Sequence, residues 1–243
     1  MNLPIYIDNK IYVDYLINVL GVPEANIVNI YPEQPSFFIY KENGLHFVIN
    51  SPQKKLIHIN FLKGQMGWRL KRTDHEILLK KALGKKKDNL TIFDGTAGFL
   101  SDTLIFLALG HKVIACEQSS ILFMLLNDAI NRAREELIFL KNLDLVYGNA
   151  IDIYKNKRNI DLIYLDPMYP DSKKNTARSG SMNDIKSILK IEAIKNLEDQ
   201  IFFDFKKQEF KKIVLKRPIK SKIIDTNLNY QVKGKSTRFD VYI

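Results

Sequence analysis

The chain has 243 residues, 46% of them hydrophobic, and carries 37 Lys and Arg against 27 Asp and Glu, a net charge of +10; this length allows one large domain, or one domain with a small appendage. No apolar run approaches the roughly 20 residues of a membrane span, and Met1 to Lys10 lacks the pattern of a signal peptide. The single cysteine, Cys116, excludes an internal disulfide and a Cys-cluster metal site. We therefore expect a cytoplasmic protein without membrane segments or metal. The basic excess favours a polyanionic partner such as a nucleic acid, because neutralised phosphates release counterions, although a generally Lys-rich proteome would produce the same excess.

Residues 1–65 are predicted to form a small α/β subdomain. Ile11 to Leu20 indicates a short helix that ends at Gly21. Asn43-Gly44 is a hairpin signal between two apolar runs. The predicted strands of this subdomain are Phe37 to Tyr40, Leu45 to Ile49 and Leu56 to Leu62.

A polar, basic segment from Lys63 to Arg72 leads into the second predicted domain, residues 66–243. Thr73 to Leu83 is predicted to be a helix, with Thr73 as its N-cap and Glu76 as the capping-box partner. Gly84 to Asn89 then forms a basic linker.

From residue 90 onward, apolar strand patterns alternate with helical ones. The predicted strands are Leu90 to Phe93, Lys112 to Cys116, Leu143 to Tyr147, Ile160 to Leu165 and Lys212 to Leu215, followed by a closing hairpin of Leu228 to Lys233 and Arg238 to Ile243. Helices are predicted up to Leu109, over Ile121 to Arg134, and between about Asp184 and Gln208. This alternation predicts an α/β fold with a doubly wound, mostly parallel sheet and an antiparallel edge.

Ligands of such sheets bind beyond the carboxyl ends of the strands. Asp94-Gly95-Thr96-Ala97-Gly98 follows the first of these strands and lets the backbone approach a ligand closely. Its spacing departs from the G-x-G-x-x-G of dinucleotide binders, which argues against a nicotinamide dehydrogenase. Glu117 ends the next strand, about 20 residues on, where an acidic residue accepts hydrogen bonds from ribose hydroxyls.

Two further positions are weaker candidates for contact with a nucleoside. Gln118 follows Glu117 and could reach the ribose or the adenine. Asn149 and Ala150 follow the third strand, where a side chain or a backbone amide could meet an adenine ring.

Asp166-Pro167-Met168-Tyr169-Pro170 directly follows the apolar fourth strand and is the predicted catalytic loop. An exocyclic amine on a base is a poor nucleophile, so its site needs acceptors for the amine hydrogens. The Asp166 carboxylate and the Pro167 carbonyl supply acceptors, and Tyr169 supplies a ring on which a base can stack. This pattern predicts methylation of such an amine, with positioning as the main source of rate enhancement.

The loop from Tyr164 to Pro170 resembles the catalytic motif of amino-methyltransferases, and in this form it is similar to the bacterial 16S rRNA (guanine-N2)-methyltransferase J family. Asp94 to Gly98, Lys216-Arg217-Pro218 and Arg238 to Tyr242 extend the resemblance, which reaches weakly upstream to Phe61. It covers about residues 55–243. The family implies a Rossmann-like class I methyltransferase that uses S-adenosyl-L-methionine, with 16S rRNA or the small ribosomal subunit as its partner.

The glycine turn supplies Asp94, Gly95, Thr96 and Gly98 as candidate cofactor contacts. The resemblance implies that Ser101 and Asp102 bind the cofactor, with further contacts from Glu117, Gln118, Asn149, Ala150 and Asp166. This chain departs from the family pattern at three of these places. It has Gly95 where Ala is usual, Leu100-Ser101-Asp102 in place of Gly-Arg-Asp, and Glu117-Gln118 in place of Glu-Arg.

Basic residues on either side of the catalytic loop are candidates for binding RNA phosphates, although each could equally be an ordinary solvated cation. They are Arg69, Lys71, Arg72, Lys173, Lys174 and Arg178. Two other functions remain open at this stage. One is amino-methylation of a different RNA or DNA base, and the other is a non-catalytic RNA-binding assembly factor.

Overall fold

The computed structural model describes residues 3–50, 54–84, 89–168, 180–195 and 198–243. The chain divides into two compact units. The first consists of Met1–Gly67 and Ser120–Ile138, and the second of Trp68–Ser119 and Phe139–Ile243. The two units therefore do not follow a single cut in the chain, and the division into domains 1–65 and 66–243 stays a prediction.

A five-stranded sheet forms the centre of the first unit, in the order β2-β1-β3-β4-β5. Its strands are β1 (Ile5–Ile7), β2 (Ile27–Val28), β3 (Ser36–Lys41), β4 (Gly44–Ile49) and β5 (Lys55–His58). Strand β1 pairs in parallel with β2 and β3, whereas β3-β4-β5 is antiparallel. The helices of this unit are α1 (Val13–Asn18) and α5 (Ser120–Ala133), and helix α2 (Gly64–Leu70) begins at its end.

The predicted hairpin is confirmed, but its turn differs from a simple Asn-Gly turn. Lys41 pairs with Gly44, so Glu42 and Asn43 are the loop residues. Gly44 opens β4 with φ +114°, a conformation that other residues rarely adopt. A Cβ atom at Gly44 would lie 2.7 Å from Asp128 Oδ2 and closer still to the Arg132 guanidinium. Glycine is therefore required both by the turn and by the helix α5 that packs on it.

Asp128 of α5 is a fully buried carboxylate that ties the first unit together. It accepts hydrogen bonds from the Leu45 backbone N–H at 2.9 Å, Arg132 Nε at 2.8 Å and the Tyr15 hydroxyl at 3.2 Å. These donors come from the hairpin, the next turn of α5 and α1. A buried charge is tolerated only when it is paired in this way.

The second unit is built on a seven-stranded sheet in the order β11-β12-β10-β9-β6-β7-β8. Its strands are β6 (Thr91–Asp94), β7 (Lys112–Glu117), β8 (Leu143–Tyr147), β9 (Leu162–Leu165), β10 (Ile213–Pro218), β11 (Tyr230–Lys233) and β12 (Thr237–Tyr242). Strands β6 to β10 pair in parallel, and β12 is antiparallel to β10 and β11. The predicted doubly wound, Rossmann-like sheet with an antiparallel edge is confirmed, and its strand order reverses between β6 and β9.

The helices of the second unit are α3 (Ile77–Leu83), α4 (Thr103–Ala108), α6 (Ala150–Lys155), α7 (Gly180–Ile191) and α8 (Gln200–Lys206). Its core contains Phe93, Leu165, Phe202, Phe205 and Tyr242, all buried. Phe202 and Phe205 lie on one face of α8 and pack against the central strands. Among the described residues, no helix has the length and apolar character needed to cross a membrane.

The predicted capping box at the start of the 73–83 helix is wrong. Thr73–His75 forms a 3₁₀ turn, α3 begins at Ile77, and the Thr73 hydroxyl donates to the Leu70 carbonyl. The Glu76 carboxylate is instead held by the Arg69 guanidinium, with Nη2 and Oε2 3.0 Å apart. An ion pair from the preceding helix thus replaces the local cap that the sequence pattern predicts.

Replacing Asp128 by Ala should destabilise the protein by about 3 kcal/mol, because the Leu45 N–H loses its buried acceptor and the Arg132 guanidinium loses its carboxylate partner, keeping only the Ile59 carbonyl among the described residues. Urea unfolding measures the change. Asp144→Ala is the matched control: Asp144 is 56% exposed and pairs with Lys157 on the surface, so its loss should change stability by less than about 1 kcal/mol. Equal, small changes in both variants would contradict the structural role of Asp128.

Candidate active site

Three acidic residues lie at the carboxyl ends of neighbouring parallel strands. Asp94 ends β6, Glu117 ends β7, and Asp166 directly follows β9. Because β6 pairs with both β7 and β9, these side chains share the edge where ligands bind in this type of sheet. The structure therefore brings together the three acidic positions that the sequence singles out.

Asp94 organises the glycine turn after β6. Its buried carboxylate accepts from the Thr96 backbone N–H at 2.9 Å, the Thr96 hydroxyl at 3.3 Å and the Thr103 hydroxyl. Thr96 Oγ1 in turn accepts from the Asp166 backbone N–H at 2.7 Å. The glycine turn and the start of the catalytic loop are thus fixed to each other through one threonine.

The two glycines of this turn serve different purposes. Gly98 has φ +51°, the left-handed region that glycine adopts readily. At Gly95 the restriction comes from packing, since a Cβ atom would lie 3.0 Å from both Leu165 Cδ2 and Phe205 Cε2. An alanine at residue 95, as is usual in the family that the sequence resembles, would require these two core side chains to shift.

Glu117 is a buried carboxylate, 6% exposed, at the end of β7. Burial raises its pKa to about 7, against the stabilising backbone N–H groups of Ser119, Gly98 and Gln118. The Ser119 N–H donates to Oε1 at 2.8 Å. Because the Glu117 carboxylate is buried, little solvent stabilises its charge. Hydroxyl groups of a ligand that donate to it would favour its ionised form.

Asp102, just before α4, receives three donors from three different elements. Arg69 Nη2 and Lys216 Nζ each lie 2.8 Å from it, and the Tyr164 hydroxyl donates to the oxygen that Lys216 contacts. Burial opposes ionisation, but the Lys216 and Arg69 charges outweigh it and hold the pKa of Asp102 well below its usual range. Asp102 is therefore held in its ionised form by two cations that contact it directly.

Lys216, near the end of β10, bridges Asp102 and Asp166, with Nζ 2.8 Å from a carboxylate oxygen of each. Burial raises the pKa of Asp166, Lys216 opposes that rise, and the nearby Asp102 carboxylate adds to it. The Asp166 side chain remains 37% exposed. It is thus accessible to a ligand, while the half-buried Lys216 ammonium holds its orientation and favours its ionised form.

The remaining residues that are predicted to contact the cofactor differ in their exposure and in their hydrogen-bond partners. Ser101 and Gln118 are exposed, and the Ser101 carbonyl accepts from Arg69 Nη1 at 2.8 Å. The Asn149 side chain caps α6, accepting from the Ile151 and Asp152 backbone N–H groups, and Ala150 is buried. The side-chain oxygen of Asn149 is therefore already engaged by the helix, and its predicted contact with an adenine ring stays a prediction.

Pro167 is buried beside Asp166, whereas Tyr169 lies outside the described residues. Lys173, Lys174 and Arg178 also lie outside them. Their predicted roles toward base and RNA stay predictions.

The basic residues of the 63–72 segment fall into two groups. Lys71 and Arg72 are exposed. Arg69 instead directs its guanidinium to Glu76, Asp102 and the Ser101 carbonyl. Contact between Arg69 and an RNA phosphate would require it to leave these acceptors, so the structure gives Arg69 a positioning role.

Sequence reasoning missed Lys216 as a member of the site, although it noted Lys216-Arg217-Pro218 as part of the family resemblance. The signal that could have identified it is strand register. Leu165 of β9 pairs in parallel with Leu215 of β10, so the residues that follow them, Asp166 and Lys216, are neighbours. The adjacent Arg217 is buried and pairs with Asp199 instead.

Comparison with known proteins identifies the class of this enzyme. A family model described as a putative SAM-dependent methyltransferase matches residues 24–243. In structure, the chain is similar to a SAM-dependent methyltransferase from Neisseria gonorrhoeae, with a TM-score of 0.71 and 25% identity over 99% of this chain and 95% of the other. The chain therefore belongs to the S-adenosylmethionine-dependent methyltransferases in family and in fold, and the expected cofactor is confirmed.

Curated relatives narrow the class to one family. Ribosomal RNA small subunit methyltransferase J of Desulfotalea psychrophila is 31% identical over 222 residues, 87% of this chain and 84% of that protein. Its counterpart in Francisella philomiragia is 32% identical over 237 residues, 93% of this chain and 95% of that protein. The chain belongs to the ribosomal RNA small subunit methyltransferase J family.

Replacing Lys216 by Met should move the acidic limb of the kcat/KM profile for methyl transfer to higher pH. Asp166 is faced by Lys216, Asp102, Asp94 and Arg69, and Lys216 is the cation that touches it. Without that ammonium the pKa of Asp166 rises further, so Asp166 becomes protonated at a higher pH.

Lys216→Arg should retain most of the wild-type pH profile, since the charge remains. Lys220→Met, at an exposed lysine in the turn after β10, is the matched control and should leave the profile unchanged. A Lys216→Met enzyme that is merely slower at every pH would show that Lys216 does not control the ionisation of Asp166.

Proposed function

We propose that this protein transfers the methyl group of S-adenosyl-L-methionine to the exocyclic N2 amine of a guanine in 16S rRNA, acting in the cytoplasm on the RNA or on the small ribosomal subunit. The observation that carries the proposal is the Asp166 carboxylate, which is partly exposed at the mouth of the sheet and held by Lys216, while the Asp166 backbone N–H donates to Thr96. Family membership supports an rRNA substrate, because the curated relatives are named for it.

For the cofactor, the arrangement of carboxylates provides the chemical fit. Glu117 would accept hydrogen bonds from the ribose, while the turn from Asp94 to Gly98 would pass beneath the methionine part. When bound, the cofactor supplies an electrophilic methyl group on a positively charged sulfur. The Asp94 and Asp166 carboxylates at the neighbouring strand ends favour a cationic ligand there.

For the target base, the chain supplies acceptors and a fixed position. Asp166 and the Pro167 carbonyl would accept the hydrogens of the amine and turn its lone pair toward the methyl donor. The amine becomes acidic once it is methylated, so a strong general base is not required. Rate enhancement then comes chiefly from positioning, and Tyr169 would hold the base by stacking.

Tritiated methyl transfer to naked 16S rRNA, to small subunits and to DNA tests the proposal, followed by mass spectrometry of the digested nucleosides. The RNA should come from a strain that lacks the enzyme. N2-methylguanosine from 16S rRNA or small subunits is the expected product. Methylated adenine, or transfer to DNA, would establish a different amino-methyltransferase. Cofactor binding with no transfer to any substrate would favour a non-catalytic assembly factor.

Affinity for S-adenosyl-L-methionine should fall as the pH drops below about 7, because Glu117 accepts ribose hydroxyls best when it is ionised and its pKa is about 7. Glu117→Gln should bind about ten- to hundredfold more weakly at pH 8, the loss of a charged hydrogen bond worth about 1.5–3 kcal/mol, and should lose this pH dependence. Calorimetry measures both effects. Unchanged affinity in Glu117→Gln would remove Glu117 from the cofactor site.

Asp166→Ala should lose most of its methyl transfer while remaining folded, since a loop at the mouth of the sheet contributes little to the core. For Tyr169, the sequence predicts that Tyr169→Phe retains much activity and that Tyr169→Ala loses considerably more. The assay is transfer to small-subunit RNA, with circular dichroism as the folding control. Near-normal transfer by folded Asp166→Ala would place the catalytic centre elsewhere.

A further inference from the structure

Trp68 stands out on the surface of the second unit. It is the only tryptophan of the chain, and it is 59% exposed near the end of α2. Tryptophan buries more apolar area than most side chains when it is placed in a core. A ring left this open is available to a partner.

Arg72 covers part of that ring. The carbon of its guanidinium lies 4.6 Å from the ring centroid of Trp68, a cation–π contact. A guanidinium that stacks by its face can still direct its N–H groups outward, where they match the geometry of a phosphate. Lys71 is also exposed beside it. The surface therefore presents an aromatic face together with two cations.

This surface is firmly connected to the catalytic residues. Arg69, the next residue after Trp68, is held by Glu76 and by Asp102. Asp102 in turn shares Lys216 with Asp166. The backbone next to Trp68 is thus anchored, through Arg69, to a carboxylate of the candidate active site.

We propose that Trp68 and Arg72 form a stacking platform for an unpaired base of the RNA substrate, with Arg72 and Lys71 contacting the adjacent phosphates. The proposal rests on the proposed function, because it assumes an RNA substrate. An aromatic ring beside cations is the combination that recognises single-stranded nucleic acid. A base within a duplex has both faces covered by its neighbours and does not fit this platform.

A structural role for the same pair makes different predictions. Arg72 lies just beyond the end of α2, and its contact with Trp68 would then serve only to hold the chain against the helix. In that case Trp68 would contribute to unfolding stability but not to RNA affinity. The two roles are therefore separable by measuring RNA binding and stability in the same variants.

The single tryptophan allows a direct readout on the full-length wild-type protein. Titration with a 12-nucleotide oligouridylate should quench Trp68 fluorescence in a saturable manner, with an affinity that weakens as salt increases. A 12-base-pair RNA duplex should bind through charge and quench much less. Binding of the oligouridylate, seen by anisotropy of a labelled strand, without any quenching would overturn the proposal, as would equal quenching by the duplex.

Variants extend the test to affinity. Trp68→Ala should bind the labelled oligouridylate about five- to hundredfold more weakly, the loss of one stacked base, whereas Trp68→Phe should retain most of the affinity. Ile30→Ala is the matched control, since Ile30 is 79% exposed and has no cation stacked on it in the described contacts; its affinity should not change. Circular dichroism and urea unfolding confirm that each variant is folded.

Methyl transfer separates this proposal from the proposed function. With small subunits or 16S rRNA as substrate, Trp68→Ala should raise KM for the RNA while its affinity for S-adenosyl-L-methionine stays at the wild-type value. If wild type transfers no methyl group to either RNA, the proposed function fails. If wild type is active and Trp68→Ala has the same KM and the same oligouridylate affinity, the platform is overturned alone.

Discussion

The arrangement of side chains at the carboxyl end of the parallel strands depends on one buried carboxylate, Asp102. Its oxygens accept from Arg69, Lys216 and the Tyr164 hydroxyl, which belong to the segment before α3, to β10 and to β9. A buried charge without partners would cost several kcal/mol, so all three elements must meet at this point for the fold to form. The same requirement fixes Lys216, and through Lys216 it fixes the orientation of Asp166. The orientation of the Asp166 side chain is therefore a consequence of how the protein pairs the buried Asp102 carboxylate with cations.

The carboxylates at this site are not all paired with cations among the described residues, so part of the site favours a ligand that is positively charged or donates hydrogen bonds. Burial raises the pKa of Asp94 to about 6, and that of Glu117 to about 7. In Asp94 and Glu117, burial opposes ionisation more strongly than the neighbouring N–H and O–H donors favour it, whereas two cations beside Asp102 favour its ionised form. A ligand that brings hydroxyl donors to Glu117, or a positive charge to the neighbouring strand ends, would favour ionisation of these groups. S-adenosyl-L-methionine carries both features, so the cofactor of this enzyme class suits the electrostatics of the chain.

Much of the fold could be predicted from the sequence because its signals are local. Alternating apolar runs identified the doubly wound sheet, and Asn43-Gly44 identified the hairpin of the first unit. One error arose where a distant partner replaced a local one. Glu76 has the spacing of a capping-box residue, but Arg69 engages its carboxylate, so Thr73 caps no helix. Helix α6 was not predicted because its start signal, Asn149, had been interpreted as a ligand contact rather than as the N-cap it forms.

Prediction of the site was limited by strand register. Asp94, Glu117 and Asp166 could be selected from sequence because each ends or directly follows an apolar strand, and the carboxyl ends of parallel strands meet at one edge. Lys216 has no such local signal: within Lys216-Arg217-Pro218 either cation could have faced the site. Side chains alternate between the two faces of a strand, and the pairing of Leu215 with Leu165 determines which of the two lies beside Asp166. Lys216 therefore joins the two carboxylates while Arg217 is directed to Asp199. That assignment requires the relative register of two strands that lie far apart in the chain, and sequence periodicity describes each strand by itself without giving the register between them.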